Sequence, residues 1–116
     1  MNPKKALLLR REKIILELPP FEKVARGSLV ERKLRCGDSS CHCAKGEGHR
    51  AFYLTVSFAR GRTEQVTVPP ELVPEVRQWI ENYNRWWQGI EEVSAINREL
   101  LRKRWIKKRT KKRERP

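Results

Sequence analysis

The sequence predicts an α+β chain with an N-terminal helix, a small three-stranded antiparallel sheet bearing a cysteine- and histidine-rich knuckle, and a long coiled-coil-like C-terminal helix ending in a basic tail. Three observations predict it. Every cysteine and both histidines fall in the fourteen residues Cys36–His49. Residues 52–58 and 66–68 alternate apolar with polar side chains, the period of strands whose two faces differ. From Val76 to Trp105 apolar residues recur every three or four positions, the period of a helix.

The N-terminal segment, 1–20, reads as an amphipathic helix over 3–18. Pro3 is tolerated in a first turn, Leu7, Leu8, Ile14, Ile15 and Leu18 recur at helical spacing, and Pro19-Pro20 stops the run. One face is apolar and the other basic, as in a helix that packs on another helix. Arg10, Arg11, Glu12 and Lys13 interrupt Ala6–Leu9 too early for an export signal or a membrane span. The expectation is a cytoplasmic protein with reduced thiols and no membrane partner.

Residues 21–101 form the expected central domain. Phe21–Arg26 reads as a short turn and Gly27-Ser28 as a break. Leu29–Cys36 alternates weakly, with Val30, Leu34 and Cys36 on one face and Glu31, Lys33 and Arg35 on the other, a strand that delivers Cys36 to the knuckle. Phe52, Leu54, Val56 and Phe58 then alternate with Tyr53, Thr55 and Ser57, and Val66 and Val68 flank Thr67. Ala59–Arg62, containing Gly61, is the hairpin loop. The apolar face must be covered, since each large side chain left in water forfeits about 1.5–3 kcal/mol. The opposite face is Tyr, Thr, Ser and Gln with basic residues from the first strand.

The expected cover is one long helix over 74–110. Pro69-Pro70-Glu71-Leu72-Val73-Pro74-Glu75 is its entrance, with prolines where N–H groups lack helical partners and acids at the positive end of the dipole. Pro74 predicts a break or kink in the first turn. The stripe fits heptads with Val76, Tyr83, Ile90 and Asn97 at a and Trp79, Trp86, Val93 and Leu100 at d. At about 1.5 Å per residue this helix outruns a three-stranded sheet, so its distal half needs a second partner. The candidates are the N-terminal helix of the chain or the same helix of another subunit. The four tryptophans, at helical spacing, read as core rather than as a base-stacking platform.

Thiolates and imidazoles suit a divalent ion that takes four tetrahedral donors, and Cys36, Cys41, Cys43 and His49 make the Cys3His set of a closed structural zinc site. His42, between two ligands, would point away from an ion shared by Cys41 and Cys43. A disulfide plus a free thiol is the bland alternative, opposed by the odd cysteine count. A catalytic zinc would have only Asp38 and Glu47 nearby as acids. The fold expected is therefore zinc-stapled, with Zn2+ as the sole cofactor.

Lys and Arg number 27 against 14 Asp and Glu, a net charge of +13 that points to a polyanionic partner. The tail, 102–116, carries +9 of it, leaving +4 for residues 1–101. Arg102, Lys103, Arg104, Lys107, Lys108, Arg109, Lys111, Lys112, Arg113 and Arg115 are candidate phosphate contacts, and Lys45, Arg50, Arg60 and Arg62 add a second patch around knuckle and loop. The expectation is a small zinc-binding protein that holds DNA or RNA with low sequence specificity, as an accessory subunit of a larger nucleoprotein assembly. The alternative is a protein-protein adaptor that forms a homodimer or docks on a larger partner through the long helix. Enzyme chemistry is not expected: no nucleophile is paired with a base, no glycine loop cradles phosphate, and no acids are spaced for two metals.

Gly27-Ser-Leu-Val-Glu-Arg-Lys-Leu-Arg-Cys36-Gly, Cys41-His-Cys43-Ala-Lys-Gly-Glu-Gly-His49, Tyr53-Leu-Thr, Val68-Pro-Pro-Glu-Leu-Val, Trp79-Ile-Glu-Asn-Tyr and Asn97-Arg-Glu-Leu-Leu together resemble an uncharacterised family of short prokaryotic proteins. Its members share a Cys-x4-Cys-x-Cys-x5-His core and are sometimes labelled transposase-like. The resemblance covers about residues 25–102. It implies that Cys36, Cys41, Cys43 and His49 act together, and it leaves the basic tail outside.

Overall fold

Strand pairing sets the architecture of the first of two compact units. The computed structural model describes residues 2–34 and 49–107. One unit spans Pro19–Arg85 and the other joins residues 1–18 to the chain from Trp86 onward. In the first, β1 (Ser28–Leu34), β2 (His49–Ser57) and β3 (Thr63–Val68) form one antiparallel sheet in the order β1-β2-β3. The register sets Leu29 opposite Leu54, and Phe52 and Leu54 opposite Val68 and Val66, so one sheet face collects the large apolar residues. The start of the long helix α2 (Val73–Arg102) covers it: Val68, Val73 and Val76 are buried, with Leu29, Phe52, Leu54 and Ile80 packed around them. The expected cover is thus the observed one. The first strand's cations divide between the faces, since the register puts Arg32 on the side of Tyr53 and Lys33 opposite Arg50.

The turn before β1 is held from α2. Ala25 N donates to Trp79 O at 3.1 Å, and the buried Asn82 donates from Nδ2 to Lys23 O at 2.9 Å. Gly27 follows at φ 141, where a β-carbon would lie 2.7 Å from the backbone carbonyl oxygen of Thr55. Only glycine satisfies both that backbone angle and that approach.

The break expected at Pro74 takes the form of a change of helix type. A 3-10 turn, Pro70–Leu72, gives way to α2 at Val73, so Pro74 lies in the first turn, where its missing N–H is not needed. The far end departs from the sequence reading: α2 stops at Arg102, not near residue 110. Arg104 takes a left-handed conformation, φ 61, Arg104 N donates to Leu101 O at 3.0 Å, and Trp105 N donates to Leu100 O at 2.9 Å. This paired closure satisfies the last carbonyls and turns Trp105 back, which ends the helix without glycine.

The second unit is an antiparallel helix pair. α1 (Pro3–Leu16) is capped by Asn2, whose Oδ1 accepts from Lys4 N at 2.8 Å, and it ends at Glu17, slightly short of the expected boundary. Its partner is the distal part of α2. Arg11 Nη1 donates to Asn97 Oδ1 at 2.7 Å, and a β-carbon on Gly89 would meet Leu18 Cδ2 at 2.7 Å and Ile14 Cγ2 at 3.7 Å. Of the two expected partners, the chain's own first helix is the one in place.

Two expectations need correction here. The face turned to α1 is only in part the a/d seam: Leu100, at d, is buried, but so are Gly89 and Ile96, which lie outside the seam, whereas Ile90, at a, is 52% exposed and Asn97, at a, is exposed while accepting from Arg11. The absent side chain at Gly89 lets α1 approach closely on that side and draws the packing away from Ile90. Nor are α1's apolar residues confined to one face, since Leu9, Ile15 and Leu16 are exposed while Leu7, Leu8 and Ile14 are half-buried.

Candidate nucleic-acid interface and metal loop

Pairing of Leu34 with His49 closes the segment 35–48 at its base, so the expected fourth ligand, His49, opens β2 directly across from the end of β1. The other expected ligands, Cys36, Cys41 and Cys43, lie outside the described residues, as do Lys45, Lys108, Arg109, Lys111, Lys112, Arg113 and Arg115. Among the described residues no group of three or more His, Cys, Asp or Glu side chains is placed to hold a metal, and none of the cysteines is among them.

The remaining expected cations fall into three places. At the hairpin tip, the 3-10 turn Ala59–Gly61 places Arg60 in a left-handed conformation, φ 65, and Phe58 N closes the loop on Arg62 O at 2.7 Å. The Arg62 guanidinium lies 4.5 Å from the Phe58 ring centre and that of Arg26 lies 5.1 Å from the same ring. Arg26 Nη1 also donates to Ser57 O at 2.8 Å. No carboxylate pairs with Arg26, Arg60 or Arg62 among the described residues. The ring fixes two guanidiniums through its π face without cancelling their charge.

Arg50 stands at the opposite end of β2 from this tip, about 25 Å away at the rise of an extended strand. The sheet therefore separates residues that the sequence grouped as one patch. Arg50 pairs with Glu31 and lies 5.6 Å from the Phe52 ring centre. That hydrogen bond, reinforced by the charge of Arg50, holds the Glu31 carboxyl below its ordinary value. The third place is the end of α2, where Arg102 pairs with Glu99, Lys103 N donates to Glu99 O at 3.0 Å, and Arg104 and Lys107 are exposed.

Two cations escaped the sequence reading: Arg26 at the tip, and Arg32, whose guanidinium lies 5.5 Å from the Tyr53 ring centre. No spacing rule exposes either of them, because Arg26 reaches Ser57 and Phe58 only through the β1–β2 register. A family model described as a domain of unknown function (DUF6788) matches residues 5–78 of the chain. No curated protein and no solved structure matches it.

Proposed function

The chain belongs to the family of the domain of unknown function DUF6788, and from its own residues we propose that it is a small, basic, zinc-stapled protein that binds nucleic acid with low sequence specificity. The observation that carries this reading is the hairpin tip, where Arg26, Arg60 and Arg62 present charge with no carboxylate partner among the described residues and two of them share the Phe58 ring. Guanidiniums oriented this way suit bidentate contact with phosphate oxygens. The tail's +9 supplies a second, sequence-independent attraction. Such contacts read charge and backbone rather than base edges, which sets the expected specificity low.

Cys36, Cys41, Cys43 and His49 would hold the zinc, whose contribution when bound is structural: it ties segment 35–48 to the sheet. The position of His49 at the closed base of that segment fits this role. A sheet unit whose buried apolar core among the described residues is Val68, Val73 and Val76 is of the size that gains from such a staple. A role as accessory subunit of a larger nucleoprotein assembly extends this reading through the transposase-like resemblance of the motif.

Fluorescence anisotropy with duplex DNA and with structured RNA, across a salt series, tests the proposal. With about six phosphates engaged, log K for duplex should fall against log salt with a slope near −5. Arg60→Gln with Arg62→Gln should flatten that slope by about 2. Absence of binding at low salt, or a slope near zero, would sink the nucleic-acid reading and leave the adaptor.

A further inference from the structure

Beyond nucleic-acid binding, α2 carries a second apolar face that the other described residues do not cover. At about 100° per residue, Gly89, Ile96 and Leu100 form the face turned to α1. Trp87, Ile90, Ser94, Asn97 and Leu101 form a neighbouring arc about 80° wide, and there Trp87, Ile90 and Leu101 are 59%, 52% and 58% exposed. This arc borders a groove of about 620 Å³ whose other wall is Ile15 and Leu18 of the α1 segment, with Ile106 at its end. Ile15 and Ile106 are likewise about half exposed, at 52% and 53%. A contiguous apolar surface of this kind marks an interaction site.

We infer that the occupant is a second copy of this chain, packed through the same face with the two α2 helices antiparallel about a two-fold axis near Ser94. Charge decides for this occupant. The arc is flanked by Glu91 and Arg98, opposite charges seven positions apart and equidistant from the boundary between Ser94 and Ala95. In an antiparallel self-pairing centred there, Glu91 meets Arg98 of the second copy and Arg98 meets its Glu91, the self-complementarity that a two-fold interface requires. A small residue, Ser94, stands where the helices would cross most closely, and Trp87 comes close to Leu101 of the second copy. Arg98 already lies along this face, donating from Nη1 to Ser94 Oγ at 2.9 Å. The chain's own tail is the wrong chemistry for the groove, because residues 108–116 are Lys, Arg, Thr, Glu and Pro. Two helix pairs joined in this way make a four-helix bundle, in which Ile90 and Asn97 regain the inward place that their heptad positions give them.

Sedimentation equilibrium of the full chain under reducing conditions tests this, the reductant removing disulfide-linked pairs. The expected result is a reversible monomer–dimer equilibrium that Ile90→Glu shifts to monomer by at least tenfold in dissociation constant, with helix content unchanged. Glu91→Arg and Arg98→Glu should each weaken self-association. Mixed together, these two variants should associate more tightly than either alone, since at positions 91 and 98 the first variant then offers only arginine and the second only glutamate. A chain that stays monomeric up to roughly 100 μM would overturn the inference, since any dimer would then be weaker than a micromolar complex by two decades. So would a dimer that both charge variants leave intact, which places the contact elsewhere. Should Ile90→Glu lose its helix content, the mixing experiment decides alone.

Discussion

The two units solve the same problem of covering apolar surface with unequal completeness. In the Pro19–Arg85 unit α2 covers most of the sheet's apolar face, leaving Val66 52% exposed, and Val68, Val73 and Val76 are buried with half-buried neighbours around them. In the helix-pair unit, Ile96 and Leu100 are buried, yet seven of the ten large apolar residues found exposed among the described residues belong to it, from Leu9 to Ile106. A sheet face has one complement, and one helix supplies it. A helix has a full circumference, and one partner covers about a third of it. The surplus on α2 is therefore a property of the helix pair rather than a defect of packing.

The largest expected difference between the units is in metal dependence. If zinc ties segment 35–48 to the sheet, Cys41→Ser or chelation withdraws a binding free energy of about 10–16 kcal/mol from the sheet unit alone. Amide exchange should accelerate throughout β1, β2 and β3, while Gly89–Leu100 keeps far more of its protection. Equal acceleration in both units would remove the distinction, and no acceleration would show that the loop holds no structural ion. His42→Ala should leave zinc content unchanged, whereas His49→Ala should lower it.

The two close-approach glycines sharpen the contrast at smaller magnitude. Gly27→Ala puts a β-carbon against backbone, Thr55 O at 2.7 Å, on a residue at φ 141, and should cost about 2–4 kcal/mol in denaturant unfolding. Gly89→Ala also meets an atom at 2.7 Å, but that atom is the tip of the Leu18 side chain, which can rotate away. Alanine further raises helix propensity by about 1 kcal/mol, so the net change should stay within about 1 kcal/mol of the parent. A large loss at Gly89 would mean that the helix pair is as rigidly fitted as the sheet. Arg104→Gly ranks next: relief of the left-handed conformation should add about 0.5–1 kcal/mol to stability.

Element order and type were readable from the sequence because two periods, 2 in the hairpin and 3.6 in α2, are each sustained over enough residues to fix a face. Stops were less readable. Pro19-Pro20 is an unambiguous terminator and α1 ends close to it, whereas α2, which stops at Arg102, is closed by the left-handed turn at Arg104, a residue type that gives no local signal for one. The heptad spacing described a real apolar stripe on α2, but spacing alone does not say which of two adjacent stripes an intramolecular partner takes; Gly89 settled that through space, not pattern. Of the candidate site, Arg60 and Arg62 were visible as cations in a turn. Their companion Arg26 was not, because the β1–β2 register, which only the folded chain displays, carries it to Phe58.

The smallest expected effect concerns acid stability and belongs to the sheet unit. Glu31 pairs with Arg50 on a largely solvated edge, and its carboxyl is held below its ordinary value of 4.5, first by the Arg50 hydrogen bond and also by the charges of Arg50, Lys33 and Arg77. A carboxyl with a lowered folded-state pKa contributes stability that is complete above its unfolded value and is lost as pH falls through the folded one. Glu31→Gln should therefore lower the urea midpoint slightly at pH 7. The gap between variant and parent should close as pH drops below about 4.5, once Glu31 is protonated in both folded and unfolded parent. Because the pair is exposed, salt should shrink the same gap at neutral pH. A gap that persists at pH 2 would assign the loss to side-chain packing on Phe52 rather than to the ion pair.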